Sequence, residues 1–196
     1  PTDVSKRTLF EIFLPPYRRA VQEANVFSIM AAHNEVAGLP GHMDKFMMTD
    51  LMRNRWGFNG FYVSDWNDIS RIDIWHHIAK DFKQSIEFSV NAGMDMNMHG
   101  ILFDTLLTEL VNEGKVQESR VNEACRKILE VKFRLGLFEN RFIDVEKAKT
   151  INISKLNFRF IVSMFKYLKN TSRKTLTNKP MKKDILLVTT INKVMI

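Results

Sequence analysis

Short apolar segments alternate with segments of helical spacing along residues 5–135 of this 196-residue chain. Three apolar segments have the length and composition of buried strands, and they are Val26–Ala31, Phe61–Ser64 and Met94–Met98. Strands that alternate with helices belong to βα units, which form parallel sheets. We therefore predict an α/β fold. Because three strands cannot close a barrel, they form either a small open sheet or the second half of a larger (β/α) barrel.

The helical segments carry start and stop signals. The predicted helices are Ser5–Ala24 (with a break at Pro15-Pro16), Asp44–Asn54, Asp81–Asn91, Ile101–Glu113 and Ser119–Leu135. Ser5 and Asp44 can cap first turns with their side-chain oxygens. Gly93 and Gly114 are typical residues at the end of a helix. The segment Asn67–Ala79 has no clean periodicity, so we predict a long loop there.

Charge divides the chain into two kinds of sequence. Residues 1–150 carry 19 basic and 21 acidic side chains, whereas residues 151–196 carry ten basic side chains and one acid, Asp184. The net charge of +7 therefore comes from the tail. The tail has few aromatic residues and no nucleic-acid motif, so we predict no nucleic-acid partner. No apolar run reaches the roughly 18 residues that a membrane helix needs, and we predict no membrane span.

The strand Phe61–Ser64 ends abruptly in a carboxylate and an indole, Asp65 and Trp66. A buried carboxylate is costly without partners, and α/β enzymes place their chemistry at the carboxyl ends of strands. We therefore take Asp65 as the candidate reactive group. Three roles are open to it: nucleophile or acid/base of a carbohydrate site, metal ligand, or structural carboxylate that accepts backbone N–H bonds. Trp66 favours a sugar site, with core packing as its alternative.

Other chemistries have weaker signals. His76 and His77 are adjacent and cannot face one ion from a helix, so we predict no metal site. The remaining histidines are isolated, which is typical of loop or core positions: His33, His42 and His99. No phosphate-binding loop and no nucleophile elbow occur, and we predict no cofactor. The lone Cys125 lies in a helical pattern, where we expect a buried, inert thiol.

Five ordered segments give the sequence a specific resemblance. They are Ser5–Tyr17, Ser28–Pro40, Leu51–Trp66, Asn91–Met96 and Lys132–Phe138. Together they resemble the N-terminal domain of glycoside hydrolase family 3, the β-glucosidase and β-xylosidase family. The resemblance covers residues 1–140, and the segment Val63-Ser64-Asp65-Trp66 carries its most informative motif.

The resemblance implies a (β/α) barrel-like first domain in which Asp65 is the catalytic nucleophile of a retaining β-glycosidase. It implies that Trp66 and Met30 line the sugar subsite. It also implies that His33 stands at a substrate-site position where the family commonly has a tyrosine that helps to orient the nucleophile. The implied substrate is a carbohydrate with a terminal β-linked glucose, xylose or related sugar, and the implied location is secreted or periplasmic.

The resemblance further suggests a partial domain. We expect residues 1–140 to be the C-terminal part of the barrel, residues 141–183 a basic linker, and residues 184–196 the start of a truncated α/β-sandwich domain with its first strand at Asp184–Thr190. For residues 141–180, a basic amphipathic helix that binds a membrane or a partner is the alternative to a solvated linker.

The general acid of the implied reaction is not identified from the sequence. Three carboxylic acids are near Asp65 in sequence without a reason to prefer one: Glu35, Asp68 and Asp73. We therefore expect the isolated chain to be inactive or nearly so. The alternative to an enzyme is an inactive remnant or a non-catalytic carbohydrate-binding or interaction module.

Overall fold

The computed structural model of the protein describes residues 2–142. Among these, residues 2–135 form one compact unit and residues 136–142 are assigned to another. The predicted strand Asp184–Thr190 and nearly all of the predicted linker lie outside the described residues. No helix within residues 2–142 is long and apolar enough to cross a membrane.

The first helical segment breaks at the proline pair, as predicted. The Ser5 hydroxyl accepts the Thr8 N–H at 3.1 Å and begins the short helix α1 (Lys6–Thr8). A π-helical turn follows at Leu9–Phe13, and α2 begins at the prolines (Pro15–Gln22). Proline is tolerated in a first turn because its missing N–H would have no helical partner there.

Two strands form the parallel sheet that the βα pattern predicts. They are β1 (Ser28–Met30) and β4 (Phe61–Val63), and two further strands, β2 (Glu35–Val36) and β3 (Leu39–Pro40), lie between them in the chain. β1 pairs with β4 in parallel, with Met30 opposite Val63. The third predicted strand is reduced to one parallel bridge between Val63 and Met96. β2 and β3 form a small antiparallel hairpin after β1.

Apart from an unpredicted 3₁₀ turn, the remaining helical elements follow their predicted signals with one exception. They are a 3₁₀ turn (Gly41–Met43), a π-helix (Phe46–Arg55), α3 (Asp68–Ile74), α4 (Phe82–Ala92), α5 (Phe103–Asn112) and α6 (Glu118–Arg134). Asp44 Oδ1 accepts the Met47 N–H at 2.9 Å, which confirms the predicted cap. Gly93 has φ 121° at the end of α4, a conformation that a side chain would strain.

The exception is α3, because the prediction of a long loop at Asn67–Ala79 is wrong. Ile69 and Ile72 of α3 are fully buried. This helix is only seven residues long and begins after Asn67, which has a left-handed backbone conformation (φ 58°). Burial of two isoleucines three residues apart therefore stabilises a helix too short to show a clear period in the sequence.

The expectation of a buried thiol at Cys125 is also wrong. α6 buries Ala124, Lys127 and Val131, whose spacing of three and four residues defines one helix face. Cys125 lies one residue beyond Ala124 and is exposed. The broad apolar pattern of this helix therefore predicted a wider buried face than the structure has.

A buried carboxylate connects three parts of the fold. The Asp95 side chain is fully buried and forms ion pairs with Arg53 of the π-helix and Arg120 of α6. It also accepts the Tyr62 N–H of β4 at 2.8 Å. Asp95 thereby satisfies donors from three separate elements, which is the condition under which a buried charge is tolerated.

We predict that Asp95→Asn lowers the free energy of unfolding by about 3 kcal/mol, because it removes the charge that two largely buried guanidinium groups share. Urea unfolding followed by circular dichroism measures the change. Glu130→Gln is the matched control, since it breaks the ion pair with Arg126 on the exposed face of α6. That control should cost less than about 0.5 kcal/mol. Equal losses in the two variants would contradict a central role for Asp95.

Candidate active site

Hydrogen bonds on both sides of β4 determine where Asp65 lies. The Val63 carbonyl accepts the Ala31 N–H at 3.2 Å, and the Ser64 N–H donates to the Met96 carbonyl at 2.9 Å. The fully buried Ser64 hydroxyl accepts the Met98 N–H at 2.8 Å. Asp65 follows directly and is half-buried at the carboxyl end of the strand.

The Asp65 carboxylate is held by the next residue. Asp65 Oδ1 accepts the Trp66 N–H at 2.6 Å, which folds the side chain back over its own turn. The Trp66 ring is 57% exposed and stacks on His99, with ring centroids 4.0 Å apart and planes 10° apart. A half-buried carboxylate and an exposed aromatic side chain therefore lie side by side, the arrangement expected of a sugar site.

His33 belongs to a charged cluster beside this turn. Its Nδ1 lies 2.9 Å from Asp68 Oδ2 and also 2.9 Å from Arg71 Nη1. A single ring nitrogen cannot donate to the carboxylate and accept from the guanidinium at once. Arg71 already pairs directly with Asp68, so we assign the Nδ1–H of His33 as a donor to Asp68. The His33 side chain remains half exposed, whereas that of Asp68 is buried.

The structure brings together three of the four predicted site residues. Asp65 and Trp66 are adjacent, and ligand atoms of His33, Asp65 and Asp68 all lie within 4.8 Å of one another. Met30 is the last residue of the neighbouring strand β1, opposite Val63, and is half-buried. Met30 therefore lies at the same edge of the sheet as the turn that carries Asp65.

The cluster of His33, Asp65 and Asp68 has the residue types of a cation site. Arg71 already supplies a positive charge to Asp68, and its guanidinium also packs over Trp75 at 4.1 Å from the ring centroid. We therefore assign the charge beside Asp68 to this anchored arginine and assign no metal to the cluster.

His42 is a site residue that the sequence pattern did not identify. Its ring is almost fully buried, and its Nε2 accepts the backbone N–H of Asp65 at 2.9 Å. Its Nδ1 lies 3.7 Å from Asp68 Oδ2. The contact with Asp65 spans 23 positions in the sequence. The role of His42 could have been inferred only if the close approach of the 3₁₀ turn to the end of β4 had been expected.

Comparison with known proteins gives this arrangement its context. Residues 1–131 match the model of the glycosyl hydrolase family 3 N-terminal domain. The chain belongs to glycosyl hydrolase family 3. The N-terminal domain of this family is a TIM-barrel-like α/β fold, in agreement with the predicted fold class. The matched residues include all those of the site described above.

Relatives of this family 3 chain are glycosidases. A putative β-xylosidase of Formosa agariphila is 34% identical over 147 residues, which are 75% of this chain and 19% of the relative. A lysosomal β-glucosidase of Dictyostelium discoideum is 34% identical over 158 residues, with 80% and 19% covered. A β-glucosidase structure from Listeria innocua in complex with glucose has a TM-score of 0.68 at 34% identity, with 71% and 19% covered. The chain thus spans about a fifth of the length of these proteins.

His42 gives the family 3 chain a pH dependence whose sign follows from burial. Burial lowers the pKa of His42 from 6.5 to about 4, against the opposing attraction of Asp68 and Asp65. The unfolded chain therefore binds a proton near pH 6.5 that the folded chain binds only near pH 4. The stabilising contribution is complete above pH 6.5 and is lost as the pH falls toward 4.

We predict that lowering the pH from 7 to 4 removes about 3 kcal/mol of stability through His42. Urea unfolding midpoints at several pH values measure the loss. His42→Gln, which does not titrate in this range, should show a smaller decrease over the same interval. Groups that do not interact with His42 are common to both proteins, so the difference between the two profiles reports on His42 and its immediate neighbours. Parallel pH profiles for the two proteins would refute the assignment.

Proposed function

We propose that the protein carries the nucleophile of a retaining β-glycosidase and that Asp65 is this nucleophile. The observation that carries the proposal is the position of Asp65: a half-buried carboxylate at the carboxyl end of a parallel strand, next to an exposed indole. Membership of glycosyl hydrolase family 3 supports it. The names of the relatives support β-linked glucose or xylose as the sugar.

The reaction proceeds by two displacements. Asp65 Oδ1 is engaged by the Trp66 N–H, so we assign the attack on the anomeric carbon to Oδ2. That attack forms a bond from Oδ2 to the sugar and breaks the glycosidic bond, and the leaving oxygen takes a proton from a general acid. Water then attacks the same carbon, releases the sugar, and returns Asp65 to its carboxylate form, while the acid residue accepts the water proton.

The other predicted residues take supporting roles. The exposed face of Trp66 packs against the apolar C–H surface of the sugar. His33 uses Nδ1 toward Asp68, so its Nε2 is the atom we assign to a sugar hydroxyl. Met30 supplies apolar contact at the end of β1. These roles involve no cofactor and leave the negative charge of Asp65 as the reactive group.

Three carboxylic acids lie near Asp65 in the sequence, and their surroundings bear on which residue could be the general acid. Asp68 is near Asp65, but it is buried and bound to Arg71, whereas an acid must reach the leaving oxygen. Glu35 pairs with His76. Asp73 lies on α3 and is half-buried. We propose that the acid comes from none of these three, and that the chain acts as part of a site completed by other residues.

We also propose a cellular location for the protein. A lysosomal relative and a periplasmic relative, together with the family resemblance, support a secreted or periplasmic location. The predicted β-glycosidase function fits such a compartment, where oligosaccharides are degraded.

We predict that a 2-deoxy-2-fluoro-β-glucosyl fluoride labels Asp65 covalently. Fluoride leaves without a proton, so the experiment tests the nucleophile whether or not a general acid is present. The fluorine at C2 slows hydrolysis, and the adduct accumulates. Mass spectrometry of the intact chain should show one added fluoroglucosyl group, and peptide mapping should place it on Asp65.

Two variants control the labelling. Asp65→Asn should take up no label, because the amide is a poor nucleophile. Asp73→Asn changes a neighbouring half-buried carboxylate on α3 and should label like the parent. Label on another residue, or equal labelling of Asp65→Asn, would refute the proposal.

A carbohydrate-binding module without catalysis is the second candidate, and the exposed face of Trp66 is the observation that favours it. Glucose would then shift the indole N–H resonance of Trp66 while the fluoroglucoside leaves Asp65 unmodified. Binding with labelling supports the enzyme, and binding without labelling supports the module.

A further inference from the structure

The 3₁₀ turn Gly41–Met43 lies unusually close to the end of β1. A Cβ atom at Gly41 would be 2.5 Å from the Ala32 carbonyl oxygen, which is closer than a side chain allows. The Gly41 N–H also donates to the Asn34 carbonyl at 3.3 Å. Glycine at this position is therefore what permits the turn to place the next residue, His42, between the ends of two strands.

The His42 ring connects these two strand ends. Nε2 accepts the Asp65 N–H at 2.9 Å, and a hydrogen bond to the Ala32 backbone opposes the lowering of the His42 pKa. Nε2 must keep its lone pair to accept, so the ring donates through Nδ1. Only the neutral tautomer with a proton on Nδ1 makes both bonds. Near-complete burial of the ring disfavours the imidazolium and supports the same state.

The His42 ring supplies a hydrogen-bond acceptor at the point where the backbone hydrogen bonds of the sheet end. β4 bonds to β1 through the Val63 carbonyl and to the Met96 segment through the Ser64 N–H. Directly after Ser64, the N–H of Asp65 donates to the side chain of His42 instead of to a backbone carbonyl. The ring thus fixes the backbone from which the Asp65 carboxylate turns toward the Trp66 N–H.

We propose that His42 is a positioning residue that holds the Asp65 backbone, through a neutral imidazole bridging Ala32 and Asp65, in the orientation required for nucleophilic attack. The catalytic part of this inference rests on the proposed function of Asp65, whereas the bridge itself does not. Two experiments therefore separate them.

The first experiment observes the bridge without activity. The pair Ser64-Asp65 is the one Ser-Asp dipeptide in the sequence, so a chain labelled with carbonyl-¹³C serine and ¹⁵N aspartate gives one Asp65 amide signal. His42→Leu removes the acceptor and should make Asp65 amide exchange about tenfold faster or more. His42→Gln offers an acceptor at similar reach and should restore slow exchange.

A long-range ¹H–¹⁵N spectrum of the unaltered chain tests the tautomer and needs no variant to fold. It should show His42 neutral at pH 7 with the proton on Nδ1. A proton on Nε2, or an Asp65 amide that exchanges alike in all three folded proteins, would overturn the bridge. In uniformly ¹⁵N-labelled samples, the Asp81-capped helix α4 provides amide signals that report whether each variant is folded.

The second experiment measures the rate at which the fluoroglucosyl fluoride labels Asp65. His42→Leu should lower that rate about tenfold or more, because small displacements of a reacting group have large effects on rate. His42→Gln should recover most of it. Equal rates in all three proteins would overturn the positioning role. If the unaltered chain takes no label, the nucleophile assignment fails, and the spectra alone decide whether the bridge exists.

Discussion

The buried carboxylate of Asp95 is the interaction on which the arrangement of this fold depends. Two arginines from different helices and a strand N–H converge on it. Removing any one donor leaves a charge poorly satisfied in a dry environment, which costs more than a surface ion pair contributes. The π-helix, β4 and α6 are therefore held to one another through a single side chain.

The position of Asp95 also determines how β4 ends. The N–H groups of Asp95 and Met96 both donate to the Tyr62 carbonyl, at 3.2 and 2.9 Å. The Met96 carbonyl is thereby placed to accept the Ser64 N–H, and the following residues bring Met98 to the Ser64 hydroxyl. His99, which stacks on Trp66, belongs to the same segment. One buried ion cluster thus fixes both the strand that carries Asp65 and the aromatic pair beside it.

The sequence was most informative where the controlling interaction is local. The Asp44 cap involves a residue three positions away, and the left-handed glycine at the end of α4 follows directly from the last helical residue. Asp65 was identifiable because a strand-like run ends in a carboxylate. By contrast, α3 depends on two isoleucines that become buried only in the folded chain. Its seven residues were too few to establish a helical period.

His42 was missed for a related reason. A histidine next to a glycine in a loop is common, and its significance arises from a hydrogen bond to a residue 23 positions away. The close approach that makes this bond possible depends on the missing Cβ of Gly41 against the Ala32 carbonyl. A sequence pattern cannot distinguish a glycine that permits a turn from one that permits two backbone segments to touch.

The two carboxylates of the site illustrate how environment separates roles for the same chemical group. Asp68 is buried and bound to Arg71 and His33, so its charge helps to hold α3 against the loop after β1. Asp65 is half-buried, its described hydrogen bond uses Oδ1, and its backbone is held by a neutral ring rather than a cation. A nucleophile must remain ionised without a tight counter-ion that would compete with the developing positive charge of the sugar. The charge of Arg71 is directed to Asp68, and this division supports the proposed role of Asp65 in attack at an anomeric carbon.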